Sequence, residues 1–393
     1  MLVIIHGNIK TMEARDYEDG YLQIEDGKIT ALGDMKDCKP GRWKGEDRVR
    51  ILDARGNLVM PGIIEAHCHM GITEEKKGME GDDCNENVDP ITPYLRAIDA
   101  INPMDAAFND AIQAGITSAM IGPGSANVVG GQFVFLKTHG RCIDRMIVKA
   151  PAAMKVAFGE NPKVNYAGQN TSPATRMAVA AMLRGELTEA CNYRKKKNGN
   201  PDLPPDFRYE CWLPVLDGEI PLKAHAHRAD DILTAVRIAK EFGLHMTLDH
   251  CSEGHLILEE LKEAGFPAIV GPDMASRNKI EVKNMAFKTA GILSREGILT
   301  AVTTDHPVSM IQFLPICAGL AVKEGMPPEE GLRAITINAA RICGVEDRVG
   351  SLAVGKDGDV AIFDGNPMEV FTSVLCTIID GNVVYYDEES GFL

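Results

Sequence analysis

No stretch of the 393-residue chain reaches the roughly 18 uninterrupted apolar positions that a membrane-spanning helix needs. The opening Met1-Leu2-Val3-Ile4-Ile5 has no basic segment ahead of it, and Asn8 and Lys10 cut it short of a signal-peptide core. Paired cysteines are also missing. The ten cysteines are scattered without a Cys-x-x-Cys motif, which points away from a disulfide framework and toward reduced thiols in a cytoplasmic protein. Positive charge is in short supply: 41 Lys+Arg against 56 Asp+Glu leave a net charge of −15. A surface of that sign does not steer nucleic acid or an anionic membrane toward itself, so neither is expected as a partner, with room left for a homo-oligomer.

What is present is ordinary for a globular protein. With 45% hydrophobic and 25% charged residues the chain is neither disordered nor fibrous. Its length suffices for one large core and a smaller satellite. The two ends share a texture of short β-like runs broken by turn residues. Asp26-Gly27 divides residues 21–24 from 29–32, and Asp380-Gly381 divides 376–379 from 383–386. Arg55-Gly56 marks a further turn, and residues 45–50 are polar. One small sheet assembled from both termini is the expectation.

The middle alternates apolar runs with helical patterns. Runs beginning at 244, 267 and 298 lie 23 and 31 residues apart, a spacing suited to β-loop-α units. Helices are expected over residues 230–242, 256–264 and 282–295, each followed by glycine. Residues 191–210 form a basic, turn-rich insertion, read as a solvated helix end and loop. Residues 73–89 form an acidic loop suited to a lid.

The chemistry stands at the ends of the apolar runs. Pro61-Gly62-Ile63-Ile64-Glu65-Ala66-His67-Cys68-His69 reads as a strand ending in His-x-His, which puts both imidazoles on one side about 7 Å apart. Leu222-Lys223-Ala224-His225-Ala226-His227, Met246-Thr247-Leu248-Asp249-His250 and Val302-Thr303-Thr304-Asp305 end in the same way. Histidines serving unrelated structural purposes would not recur at that register, and barrel enzymes place their chemistry at the C-terminal ends of strands. Four or five imidazoles and a carboxylate suit a divalent transition metal, zinc foremost, in one or two copies.

With these segments the chain resembles the amidohydrolase superfamily, in its imidazolonepropionase-like and prolidase-like branch. Ala114-Gly115-Ile116-Thr117-Ser118, Ile337-Asn338-Ala339-Ala340-Arg341 and Gly355-Lys356-Asp357-Gly358-Asp359-Val360 extend the likeness over essentially the whole chain. The resemblance implies an α/β fold: a TIM-type (β/α)8 barrel over residues 59–348, with a small β-sandwich built from residues 1–58 and 349–393. Carried over by position, His67 and His69 match the first-strand metal ligands, His225 and His250 the fifth- and sixth-strand ligands, and Asp305 the eighth-strand acid that touches the metal and shuttles the proton. His227 is expected to face substrate. For the fourth-strand ligand, Glu160 after Gly159 is preferred over a carbamylated Lys155. If neither reaches the mouth, the site holds one metal on His67, His69, His225 and Asp305, and His250 binds substrate.

The implied reaction is cleavage of a C–N (amide) bond in a small cyclic amide, N-acyl amino acid or dipeptide-like substrate by a metal-bound hydroxide, with Asp305 and His227 catalytic. The alternatives are an aminohydrolase (deaminase) of a small heterocycle and a non-catalytic barrel scaffold. Asn127 with Gly130-Gly131-Gln132 is a candidate anion-binding loop, and Arg277 with Asn278 a candidate clamp for an acidic substrate. His6, His139, His245 and His255 lack the strand-end register and are expected to be structural.

Overall fold

The computed structural model describes residues 1–38, 49–75 and 78–392. The polar segment 45–50 therefore falls mostly outside the described residues, as do positions 76 and 77 of the acidic loop.

Five strands come first: β1 (Leu2–Ile9), β2 (Tyr17–Glu25), β3 (Lys28–Asp34), β4 (Arg50–Asp53) and β5 (Leu58–Pro61). Eight more form the barrel: β6 (Ile63–Cys68), β7 (Ile116–Ile121), β8 (Val129–Lys137), β9 (Ile147–Ala157), β10 (Leu222–Ala226), β11 (Met246–His250), β12 (Ala268–Val270) and β13 (Thr300–Val302). The chain then returns to the first sheet with β14 (Val360–Phe363), β15 (Val374–Ile379) and β16 (Asn382–Tyr386).

The expected composite of both termini is present. Strand order β16-β15-β14-β5-β1-β2-β3 makes one sheet, with β4 branching from β1. Its tight turns are the Asp-Gly pairs read from the sequence: Asp26 and Gly27 have φ of 48° and 79°, Asp380 and Gly381 48° and 73°. That left-handed backbone is what a two-residue hairpin turn requires. Lys137, at the end of β8, ties the sheet to the barrel. Its buried ammonium lies 2.5 Å from Asp359, 2.9 Å from Asp357 and 3.4 Å from Asp380.

The second sheet, β13-β12-β11-β10-β9-β8-β7-β6, is a nearly closed barrel. β8 runs antiparallel to both β7 and β9 while the other neighbours are parallel. The linkers 122–128 and 138–146 explain this reversal. They are too short for the crossover that parallel neighbours need, which takes about a dozen residues or more. The seam between β13 and β6 is closed by side chains and loop backbone. The buried Glu65 carboxylate accepts from Thr303 Oγ1 at 2.6 Å, Thr304 Oγ1 at 2.6 Å and Thr304 N at 2.9 Å. Thr303 Oγ1 also reaches His67 O, and His69 N donates to His306 O at 2.8 Å.

The outer helices follow the apolar periodicity in part. Helix Ala229–Phe242 buries Ile232, Ala235, Val236 and Ala239 and ends on Gly243 at φ 66°. Helix Leu258–Ala264 is shorter than expected, and the one expected over 282–295 begins only at Lys288. The residues before it fold as a loop over the barrel mouth. Residues 191–199 of the basic segment 191–210 form the last turns of helix Arg176–Gly199, where Arg194 pairs with Asp217 and Lys197 with Glu210. No helix among the described residues is long and apolar enough to cross a membrane.

Candidate active site and metal centre

Alternation along β6 points Glu65, His67 and then His69 to one side, and the equivalent register on β10 aligns Lys223, His225 and His227. β11 brings Asp249 inward beside His225. His250 and Asp305 follow at φ of 74° and 52°. For a non-glycine residue that region costs on the order of 1–2 kcal/mol, and strain of this kind concentrates at functional sites.

Six of the seven expected residues, His67, His69, His225, His227, His250 and Asp305, come together and are buried, and Glu160 is the exception. Their ligating atoms form two overlapping groups. His225, His227 and His250 lie within 4.8 Å of one another, as do His67, His250 and Asp305. His69 Nε2 joins the second group at 3.2 Å from Asp305 Oδ1, with His67 Nε2 at 3.5 Å from the same oxygen.

The ring nitrogens facing away from the centre are each held. His69 Nδ1 lies 2.7 Å from Gly122 O, and His250 Nδ1 2.7 Å from Gly271 O. His67 Nδ1 lies 2.9 Å from Asp249 Oδ2. A carbonyl or carboxylate can only accept, so in the neutral ring the proton sits on Nδ1 and the Nε2 lone pair faces inward. His225 and His227 instead meet hydroxyls, Ser125 Oγ at 2.9 Å and Ser252 Oγ at 2.8 Å. A hydroxyl can donate or accept, so these two rings keep a choice of tautomer.

The electrostatics favour the neutral form in four of the five rings. Burial lowers His67, His225, His227 and His250, reinforced by Lys155 for His67 and by neighbouring imidazoles for His225 and His227. Burial alone would also lower His69, but the Cys84 thiol and Asp305 push it up to about 10. Burial works to raise Asp305, and His250 and His69 outweigh it, holding the carboxylate ionised.

Lys155 and Glu160 are placed the other way round from the expectation. Glu160 is the first residue of helix Glu160–Gly168, directly after Gly159 at φ 84°. Its carboxylate accepts from Glu281 N at 3.2 Å and joins neither ligand group. Lys155 points inward from β9, and its long stem carries Nζ to 3.4 Å from His67 Nε2. Burial lowers its pKa to about 8. Phe133 of β8 lies beneath, its ring centre 5.7 Å from Lys155 Nζ and 5.3 Å from Lys223 Nζ.

The sequence reading missed Asp249, although it immediately precedes His250. Asp249 pairs with Lys223 at 3.3 Å as well as with His67. Burial would raise this carboxyl, and Lys223 and His67 outweigh that to pull it far down. Glu65 was missed as well, although it stands two residues before His67 on the same face. Two weaker expectations are met in part at most. Gly130-Gly131-Gln132 lies inside β8 with Gln132 N spent on Leu95 O, and Arg277 donates from Nε and Nη2 to Met285 O, whereas Asn278 does line the cavity above the imidazoles. His6 pairs with Asp19 at the surface and His255 contacts Thr289.

Above the imidazoles opens a cavity of about 550 Å³. Thr73, Asp82, Cys84 and Asn85 of the acidic loop line it, as do Asn278, Lys279 and Val282 of the loop after β12. A barrel with buried His/Asp clusters at the C-terminal ends of its strands, under a cavity of small-molecule size, defines a metal-dependent hydrolase. The chain belongs to the amidohydrolase family, which it matches over residues 58–384, and is an enzyme acting on C–N bonds.

The crystal structure of an amidohydrolase from Thermotoga maritima MSB8 is 36% identical, with a TM-score of 0.93, covering 98% of this chain and 100% of that one. Amidohydrolase tasK of Hapsidospora irregularis is 29% identical over 94% of this chain, which spans only 40% of that protein's length. An imidazolonepropionase of Brevibacillus brevis is 25% identical over 90% of this chain and 86% of its own.

Proposed function

We propose that the chain hydrolyses the amide C–N bond of a small cyclic amide, N-acyl amino acid or dipeptide-like substrate at a centre built on His67, His69, His225, His250 and Asp305. The observation that carries this reading is the pair of ligand groups sharing His250. The donors fit one or two divalent transition metals. His67 and His250 have Nε2 lone pairs fixed inward, and the buried Asp305 Oδ1 has no hydrogen-bond partner among the described residues. When bound, such a cation supplies Lewis acidity, activating water and polarising a carbonyl.

The remaining steps fall to the chain's own groups. Asp305, ionised and facing the cavity, takes a proton from the attacking water and returns it to the leaving nitrogen. His227 lines the cavity and is neutral. With Ser252 Oγ donating to its Nδ1, it presents Nε2–H to the substrate carbonyl oxygen. Lys155, lowered to about 8, keeps a fraction of neutral amine at neutral pH. That fraction can take up carbon dioxide as a carbamate, supplying the anionic group that Glu160 does not bring to the centre.

Asp305→Asn tests the assignment. Turnover should fall by about 10²–10⁴-fold on a responsive amide substrate while bound metal, measured by elemental analysis, stays near the parent level. Undiminished turnover refutes it. A substrate panel coupled to ammonia detection separates amide hydrolysis from the aminohydrolase alternative, which ammonia release from a heterocycle without amide cleavage would establish. Family membership and the retained ligands set the scaffold alternative aside.

A further inference from the structure

Glu281 is a buried carboxylate that neither the strand-end pattern nor the reaction above uses. It is the middle residue of the single helical turn Ile280–Val282, in the loop after β12, and is completely buried. Its two oxygens differ. Oε2 accepts from Glu160 N at 2.8 Å while Glu160 Oε2 accepts from Glu281 N at 3.2 Å, a reciprocal clasp between the loops that follow β9 and β12. Oε1 has no hydrogen-bond partner among the described residues. It lies 3.7 Å from His225 Nε2 and 3.8 Å from Lys279 Nζ, whose own hydrogen bond goes to Asn161 Oδ1. A buried carboxylate oxygen left open beside an inward-facing imidazole is costly unless something positive sits against it.

We propose that Glu281 is a carboxylate ligand, through Oε1, of the divalent cation that His225 holds. Two ligand atoms on one transition-metal ion, each about 2.0–2.2 Å from it, stand roughly 3.3–4.3 Å apart depending on the angle between them. The 3.7 Å between Glu281 Oε1 and His225 Nε2 falls within that span. The clasp with Glu160 fixes Oε2 and so aims Oε1, and Ser125 holds the far side of His225. Imidazole ligands carry no charge, so a carboxylate beside His225 on the same ion offsets half the charge of a divalent cation. This assignment rests on the proposal that the imidazoles hold a cation, and it makes the loop after β12 part of the metal centre.

The test compares the full-length parent chain with Glu281→Gln and Glu160→Gln, titrated with zinc against a chelator and with cobalt followed by visible absorption. Glu281→Gln keeps an oxygen for Glu160 N but removes the charge. It should weaken zinc at one position at least tenfold and alter the cobalt spectrum, whereas Glu160→Gln should bind both metals as the parent does. Parent-like zinc affinity and spectrum in Glu281→Gln overturn the assignment, as does an equal loss in Glu160→Gln, which would assign the effect to the clasp. If Glu281→Gln does not fold, Glu281→Asp replaces it: a shifted cobalt spectrum supports ligation and an unchanged one refutes it. Failure of the parent to take up either metal overturns the metal-centre reading itself, an outcome distinct from loss in the variant alone.

Discussion

Replacing Asp249 by Asn should damage the metal centre without touching any of the imidazoles. Asp249 Oδ1 accepts from Thr247 Oγ1 at 2.8 Å and from Lys223 Nζ at 3.3 Å, and Oδ2 faces His67 Nδ1 at 2.9 Å. An asparagine has one acceptor oxygen, and Thr247 and Lys223 claim it, which leaves the amide NH2 against His67 Nδ1. The imidazole must then carry its proton on Nε2, aimed into the centre where the lone pair is needed. Losing such a supporting carboxylate typically weakens metal binding about 10–100-fold. The variant also strands the buried Lys223 ammonium, and removing one partner of a buried pair costs about 3–5 kcal/mol. Zinc affinity by chelator competition, with urea unfolding of metal-free protein, reads the two effects separately. Parent-like values in both would refute the tautomer argument and the charge assignment together.

The other perturbations probe different parts of the molecule. Lys155→Met should remove at least one equivalent of bound metal while Glu160→Gln removes none, as elemental analysis of the two proteins would show; the opposite pattern would restore Glu160 as the fourth-strand ligand. Lys137→Met leaves Asp357, Asp359 and Asp380 crowded without their shared cation and should cost about 3–5 kcal/mol in urea unfolding. A change below 1 kcal/mol there would mean that the junction between sheet and barrel does not depend on it. Asp273 is pushed up to about 6 by burial, against the pull of Arg277. Between its unfolded pKa of about 4 and that value the folded state binds more protons, so its contribution is fully present below pH 4 and is lost as pH rises through about 6. Asp273→Asn should therefore match the parent at pH 4 and exceed it by at most about 3 kcal/mol at pH 8; pH-independent differences in melting would contradict the shift.

Local rules made much of the site legible in advance. A strand's two-residue period put His67 with His69 and His225 with His227, and the positive φ demanded by hairpin turns placed the Asp-Gly corners of the terminal sheet. The same period could have found Glu65, since it depends on nothing beyond the strand itself.

What escaped depends on reach and on the path of neighbouring chains. Lys155 reaches to 3.4 Å from His67 because its stem spans the distance from mid-strand, and the Glu160 carboxylate joins neither ligand group because it is taken up by Glu281 N; proximity to the strand end predicted the reverse. The pairing of Asp249 with His67 and the placement of Glu281 against His225 each join residues that lie far apart in sequence. The amino-acid order by itself determined which side chains stand at the strand ends, because that is a property of each strand's own repeat. Only the closed barrel decided which atoms meet, because those contacts arise where separate strands and loops converge in space.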